Sequence, residues 1–288
     1  MSQPDKRRES LVDGEFHFSA EDFRRIAAAL HAASGIALPD SKATLVYSRL
    51  AKRLRALGLE SFRDYCALID GAEGLEELQQ MVVALTTNVT RFFREPHHFE
   101  HLKTRVLPPL LTAARRGGSV RIWSAGCSNG QEPYSIALAI LSLMPDAGDH
   151  DVRVLATDID TRMIAEGRAG LYSAQAVEPV PADLRAKWFE REAGGYRASD
   201  ALRKLVVFNE LNLMGAWPMR RNFQAIFCRN VVIYFDEATQ SRVFGRFLPL
   251  MTPDARLYIG HSERLCGEAA TRLATDGVTT YRLRGSAT

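Results

Sequence analysis

The stretch VRIWSAGCSNGQEPYS, residues 120–135, decides the fold. Val120 to Ala125 reads as a strand running into a glycine-containing turn. Gly126 and Gly130 then supply a turn, and Glu132 to Leu143 reads as a helix. The two glycines permit positive φ and close backbone approach, the features of a first β-turn-α unit that holds a nucleotide. The spacing is not G-x-G-x-x-G, and no Gly-Lys-Ser/Thr follows, so a phosphate-binding P-loop is excluded. The next strand, from Val152, ends in an acid, Asp158, 28 residues after Gly130. A carboxylate there suits ribose hydroxyls. Its competing use is to cap the following helix, but Asp160 or Thr161 can do that and leave Asp158 free.

Outward from this unit, strands and helices alternate. Thr161 to Leu171 reads as a helix, Phe223 to Cys228 as a strand and Asp236 to Met251 as a helix; Arg256 to Gly260 and Val278 to Leu283 are closing strands. Alternation of this kind predicts a parallel α/β sheet with ligands at the carboxyl ends of its strands. Between Val177 and Asn212 the pattern breaks. Gly194-Gly195 separates short segments and Leu205 to Phe208 is strand-like, which predicts a small antiparallel insertion at about 174–208. Upstream, residues 16–85 have a different grammar. Ser19 caps a helix carrying Phe23, Ile26, Ala27 and Leu30 that ends before Gly35. A second helix follows Pro39-Asp40 and stops at Gly58, a third runs from Ser61 to Gly71, and a fourth carries Leu75, Leu78, Met81, Val82 and Leu85. This is a small helical bundle. Residues 1–15 read as a polar, mobile tail.

Composition narrows the classes. Of 288 residues, 46% are hydrophobic and 25% charged, with 37 Lys+Arg against 34 Asp+Glu, so disordered and fibrous readings fall away. No apolar run reaches the roughly 18 residues of a membrane span, and the first residues lack the apolar core of a signal peptide. Four scattered cysteines (Cys66, Cys127, Cys228, Cys266) form no C-x-x-C pair and suit a reducing cytoplasm. The second helix is locally basic. Lys42, Arg49, Lys52, Arg53 and Arg55 have no acidic residue among them, although residues 1–80 hold 11 basic and 13 acidic side chains. That stripe is either a solvated face or a docking surface for an acidic partner. His97 and His101 stand at i, i+4, but without the acid of H-E-x-x-H they read as ordinary helix residues. Phe92, Phe93 and Phe99 read as interdomain core, Cys127 as a small turn residue, and Cys228 as the end of a strand with no base to make it a nucleophile.

Six blocks in order, TTNVTRFFRE (86–95), SAGCSNGQEPYS (124–135), ATDID (156–160), NLM (212–214), IFCRNVVIYFD (226–236) and GHSE (260–263), resemble the chemotaxis-receptor glutamate methyltransferases, the CheR family. The resemblance covers the chain from about residue 16. It implies an all-α N-terminal domain (16–85), a linker (86–95) contributing to the cofactor site, and a Rossmann-like S-adenosylmethionine domain (96–288) with a β-subdomain insertion. Asn88, Thr90, Arg94, Glu132, Asp158, Asn212, Leu213, Arg229 and Asn230 match the family's cofactor contacts, and Tyr234 matches a tyrosine beside the methyl group. Asn129 stands where Thr is commoner, and Gln131 where an acid is common.

The resemblance further implies methyl transfer from S-adenosylmethionine to glutamate carboxylates, with S-adenosylhomocysteine as product and no metal. A glutamate, with an ordinary pKa near 4.3, is already ionised at neutral pH and needs alignment and desolvation, not a general base. Arg94 and Tyr234 suit the catalytic task of holding it. The implied partner is the cytoplasmic helical bundle of chemoreceptors, met by Lys42, Arg49, Lys52, Arg53 and Arg55. Glu192 to Tyr196 is short for gripping a receptor's C-terminal peptide. Methylation of nucleic acid is the runner-up, but Cys228-Arg-Asn-Val231 is not the Asn/Asp-Pro-Pro-aromatic signature of amine methylation. A non-catalytic adaptor is a third reading, disfavoured by the intact set of site residues. No membrane insertion is expected.

Overall fold

The computed structural model describes residues 10–285. The chain forms two compact units, Met1–Thr87 and Asn88–Thr288.

In the first unit four helices follow one another: α1 (Ala20–Ser34), α2 (Ala43–Leu57), α3 (Phe62–Asp70) and α4 (Leu75–Leu85). Local chemistry sets their ends. Ser19 and Asp22 form a reciprocal capping box at the start of α1, and Gly35, with φ of 77°, closes it in the left-handed region. Gly58 ends α2 in the same way, and Ser61 caps α3. α4 lies against α1, α2 and α3. The core is aromatic and aliphatic: Phe18 packs on Phe62 with ring centroids 4.3 Å apart, and Ile26, Leu30, Val46, Leu50 and Met81 are fully buried. Residues 1–9 of the expected mobile tail lie outside the described residues. Residues 10–15 do not behave as a tail. Leu11 N–H donates to Phe18 O, Ser10 Oγ to Val12 O, and Glu15 pairs with Arg55. The pull is the apolar side chains Phe16 and Phe18, which are buried and tether what precedes them.

The second unit begins with α5 (Pro96–His101), which runs through a wider π-type turn (Leu102–Val106) into α6 (Leu107–Arg115). β1 (Val120–Ala125), α7 (Gln131–Leu143), β2 (Val152–Asp158) and α8 (Thr161–Ala169) follow. β3 (Leu171–Tyr172), α9 (Ala182–Trp188), β4 (Phe189–Glu192), β5 (Gly195–Ala198) and α10 (Asp200–Lys204) come next. The chain closes with β6 (Val206–Glu210), β7 (Phe223–Cys228), α11 (Glu237–Phe247), β8 (Met251–Ile259), α12 (Gly267–Arg272), β9 (Leu273–Gly277) and β10 (Thr280–Leu283).

Seven strands make the main sheet in the order β6-β2-β1-β7-β8-β10-β9. The first five are parallel; β10 alone is reversed, lying antiparallel between β8 and β9, so that β9 runs with the parallel set. From β1 the chain order runs outward to β2 on one side and from β7 to β8 on the other. The switch point between β1 and β7 opens a crevice at the carboxyl ends of the strands. α7 is buried around nearly its whole circumference, because it packs on β1 and β2 and is itself overlain by α9 and α10.

The insertion differs from the expected 174–208. Its three-stranded antiparallel sheet, β3-β5-β4, begins at Leu171 and ends at Ala198. The strand-like Leu205 to Phe208 belongs to the main sheet, where β6 runs parallel to β2 with Val154 opposite Val206. Val206 and Phe208 bury their side chains while Val207 is exposed, and that alternation at a sheet edge looks the same in sequence whichever sheet receives it.

Candidate functional site

The turn after β1 is the floor of the crevice. Gly126 (φ 80°), Ser128 (φ 50°) and Gly130 (φ 93°) all occupy the left-handed region. At Gly126 a side chain is excluded twice over, since a Cβ would lie 2.3 Å from Val231 Cγ2. Gly126 and Cys127 donate their N–H groups to Thr157 O at 2.8 and 2.9 Å, which locks this turn to the end of β2.

Asp158 completes the lock. Its Oδ2 accepts from Ser128 N–H at 2.7 Å and its Oδ1 from Asp160 N–H at 2.9 Å. Burial raises its pKa, and these backbone N–H groups pull it back. Each oxygen keeps a lone pair for a hydroxyl. The capping of α8 falls to Asp160, whose side chain accepts from Arg162 N–H, so Asp158 is free of that duty.

The segment 88–95 is stapled along the same turn. Ser128 Oγ donates to Asn88 O at 2.9 Å, and Asn88 Nδ2 donates to Asp160 Oδ2 at 2.8 Å. Phe92 N–H donates to Gln131 Oε1 at 3.0 Å, and Phe93 N–H to Ser135 Oγ at 2.9 Å. Gln131 Nε2 in turn donates to Asn129 Oδ1 at 3.2 Å. The two residues that depart from the family's usual choices are thus partners. A glutamate at 131 could accept from Phe92 but could not donate to Asn129.

Below this segment lies a charged cluster. Arg229, with a side chain only 1% exposed, sits 3.3 Å from Glu95 Oε2 and 3.1 Å from Glu132 Oε2. It also donates to Arg94 O and lies 5.5 Å from the Phe99 ring centroid. Glu132 accepts from Ser124 Oγ at 2.7 Å; burial raises its pKa against the pull of Arg229. Burial also opposes the charge of Glu95, yet Arg229 and His261 hold its pKa below the usual range. Glu95, His97 and His98 bring ligand-type atoms within 4.8 Å of one another. The Glu95 oxygens there already face Arg229 and His261. His101, instead of joining His97, pairs with Asp276 and with Tyr258 Oη.

The structure therefore sorts the expected site residues into two groups. The side chains of Arg229 and Glu132 are spent on each other, Asn88 holds Asp160, and Asn212 Oδ1 accepts from Met214 N–H at 2.9 Å. Leu213 is buried, and its carbonyl accepts from Trp217 and Arg246. These set the backbone. Thr90, Asn230 and Tyr234 are half-buried and carry side-chain polar atoms with no partner among the described residues; Arg94 uses one N–H, on Val89 O at 3.1 Å. These can meet a ligand. Asn230 follows β7 with φ of 59°, and Tyr234 ends the single 3-10 turn Val232–Tyr234. Sequence reasoning passed over Ser128, Glu95, Gln131 and Glu263 as working parts. All four stand inside the recognised blocks, but nothing in their spacing tells a backbone acceptor from a surface residue.

Of the five basic residues, Lys42 at the N-cap of α2 and four on the helix itself, three are engaged inside their own unit. Arg49 donates to the carbonyls of Ala84, Leu85 and Thr86 at 3.3, 2.9 and 2.7 Å. Arg53 pairs with the buried Glu77, and Arg55 with Glu15. Lys42 and Lys52 are exposed, with no side-chain partner among the described residues.

A doubly wound sheet, a glycine turn at its switch point and an acid at the end of the next strand define the class of Rossmann-like domains that bind a nucleoside-containing cofactor. Residues 88–281 match the family model described as CheR methyltransferase, SAM binding domain, and residues 21–86 the one described as CheR methyltransferase, all-alpha domain. The chain is 52% identical to a probable chemotaxis protein methyltransferase of Rhizobium etli, over 88% of this chain and 96% of that one. It is 42% identical to chemotaxis protein methyltransferase 2 of Pseudomonas aeruginosa, over 93% and 94% of the two chains. With the chemotaxis protein methyltransferase of Escherichia coli the identity is 39%, over 91% and 90%. The chain belongs to the CheR methyltransferase family: it is a methyltransferase, and S-adenosylmethionine is its cofactor.

Proposed function

We propose that this protein methylates glutamate side chains on the cytoplasmic helical bundle of chemoreceptors, forming methyl esters in chemosensory adaptation. The observation that carries the reading is the group of side chains left wholly free, Thr90, Asn230 and Tyr234, or largely free, Arg94, among the described residues, with the Arg94 backbone held by the buried Arg229. S-adenosylmethionine, when bound, supplies an electrophilic methyl group on a sulfonium. Asp158, with spare lone pairs, suits the ribose; the Gly126–Gly130 turn suits close backbone approach; Asn88, Thr90, Asn212, Leu213 and Asn230 line the remainder. For Glu132 and Arg229 the supporting role is indirect, through the position of Arg94.

The acceptor carboxylate arrives ionised, so no residue has to remove a proton. Arg94 and Tyr234 donate hydrogen bonds to the oxygen that does not react and leave the other a lone pair for an in-line attack. Half-burial of both groups strips water from the nucleophile. No metal is required in this scheme.

Receptor helices are acidic at their methylation sites in this reading, and Lys42, at the N-cap of α2, and Lys52, on it, are the cations left to meet them. Arg49, Arg53 and Arg55 contribute positive potential while serving their own unit. A two-residue turn, Ala193-Gly194, joins β4 to β5, which favours recognition of the helices without a tethering tail. No helix among the described residues is long and apolar enough to cross a membrane, and we place the protein in the cytoplasm with its acceptor.

The test is to incubate the purified protein with methyl-labelled S-adenosylmethionine and receptor-bearing membranes of its own cell, then treat with base. Label released as methanol is the expected result. Base-stable label would move the acceptor to nitrogen or carbon and overturn the reading. Cofactor binding without any label on receptor known to be present would replace it with an adaptor.

A further inference from the structure

Glu263 is 2% exposed, and its carboxylate forms no ion pair among the described residues; the neighbouring Arg264 meets only its backbone carbonyl, at 3.0 Å. A carboxylate in such a place is costly unless hydrogen bonds replace its water. The replacements are all backbone: Oε1 accepts from Val231 N–H at 2.9 Å and Val232 N–H at 3.0 Å, and Oε2 accepts from Gly260 N–H. Burial raises its pKa and these N–H groups lower it. Val231 and Val232 lead directly into the 3-10 turn that ends at Tyr234, and Asn230 precedes them. The same segment is gripped from two further sides. Gly126 leaves room for Val231, and a Cβ on Gly260 would lie 2.5 Å from Asn230 Nδ2.

We propose that Glu263 is a positioning residue for methyl transfer: its carboxylate pins the 230–234 segment to the end of β8 and so sets where the Tyr234 phenol stands. This rests on the role given to Tyr234 above. Two adjacent donors of the segment, Val231 and Val232, and a third from Gly260 at the end of β8 converge on one buried side chain, so the segment is held at two points where an ordinary loop contact would hold one. Asn230, with φ of 59°, takes the left-handed region that asparagine tolerates, and so turns the chain from β7 into the anchored segment.

The experiment is a double-mutant cycle on the full chain, with methyl-labelled cofactor and receptor-bearing membranes. Glu263→Gln keeps the shape but turns an amide donor toward Gly260 N–H. The expected loss in kcat is about tenfold, in the range that sub-ångström misplacement produces. With Tyr234→Phe already present, adding Glu263→Gln should cost less than about twofold, since the group it positions is gone. Hydrogen exchange of the 229–235 amides should accelerate about tenfold or more, with amides of β1 and β2 unchanged. Additive losses in the cycle, or unchanged exchange at 229–235, overturn the inference. Tyr234→Phe with full activity would instead overturn the role of the phenol, and the anchoring by Glu263 would then stand or fall on the exchange alone. If the glutamine variant does not fold, Glu263→Asp, which keeps the charge but shortens the reach, is put through the same cycle.

Discussion

Arg94 combines a fixed backbone with a side chain that makes a single hydrogen bond among the described residues. Its carbonyl is held by the buried Arg229, while its own guanidinium spends one N–H on Val89 O. A residue built this way acts on what it touches and not on the fold. Arg94→Ala is therefore expected to lower kcat about 100-fold, comparable with removing one donor from a transition-state site, while the Kd for S-adenosylhomocysteine changes less than about threefold. Calorimetry beside the labelling assay decides it; equal loss in both would assign Arg94 to cofactor binding alone. At this scale residue identity was informative but role was not. Arg94 and Arg229 look alike in sequence. Only the side-chain burial of 1% and the flanking carboxylates of Glu95 and Glu132 show that Arg229 is an internal strut.

At the scale of elements, α2 shows how a surface pattern divides. Its basic residues lie on neighbouring positions, yet Arg49 caps the carboxyl end of α4, supplying the donors that the last carbonyls of a helix lack. Arg53 neutralises Glu77, which also accepts from Tyr65 Oη at 2.8 Å. Reversing the charge of Lys42 and Lys52 together should raise the KM for receptor about fivefold or more with kcat and Tm unchanged, because free rim charges govern encounter. Arg53→Ala should destabilise the first unit by about 3 kcal/mol, since it strands a buried carboxylate. Kinetics and thermal melts of the two variants separate these outcomes. A fall in Tm with the lysine reversals, and no change in KM, would remove α2 from receptor recognition. Helix ends were legible beforehand, because Ser19, Gly35, Gly58 and Ser61 act within a turn or two of their own positions. The destination of Val206–Glu210 was not, because strand pairing is set by partners about 50 residues away.

For the whole molecule, acid response follows from the cluster around Arg229. His98 is fully buried, with Nε2 facing Val278 O and Thr279 Oγ1 and Nδ1 3.5 Å from Glu95 Oε2. Burial, Arg229 and His97 push its pKa from 6.5 down to about 3. The unfolded chain takes up this proton near 6.5 and the folded chain does not, so the contribution to stability is complete above 6.5 and is lost as the pH falls toward 3. Between pH 7 and pH 5 that loss amounts to about 2 kcal/mol. His98→Gln, which keeps a donor for Val278 O without a titrating group, should lose about 2 kcal/mol less over the same interval in urea unfolding. Parallel losses in the two proteins would show that His98 does not titrate with unfolding.

The sequence by itself determined the elements and the class of chemistry: the 120–135 turn, the capped helices of the first unit and the acid at 158 follow from local sterics and hydrogen bonding, which act over a few residues. Tertiary structure alone decided which polar side chains remain free. Whether a carboxylate or guanidinium meets a ligand or a neighbour depends on burial and on partners distant in the chain. Glu263 with the amides of Val231 and Val232, and Arg229 with Glu95 and Glu132, come together only when the strands pair.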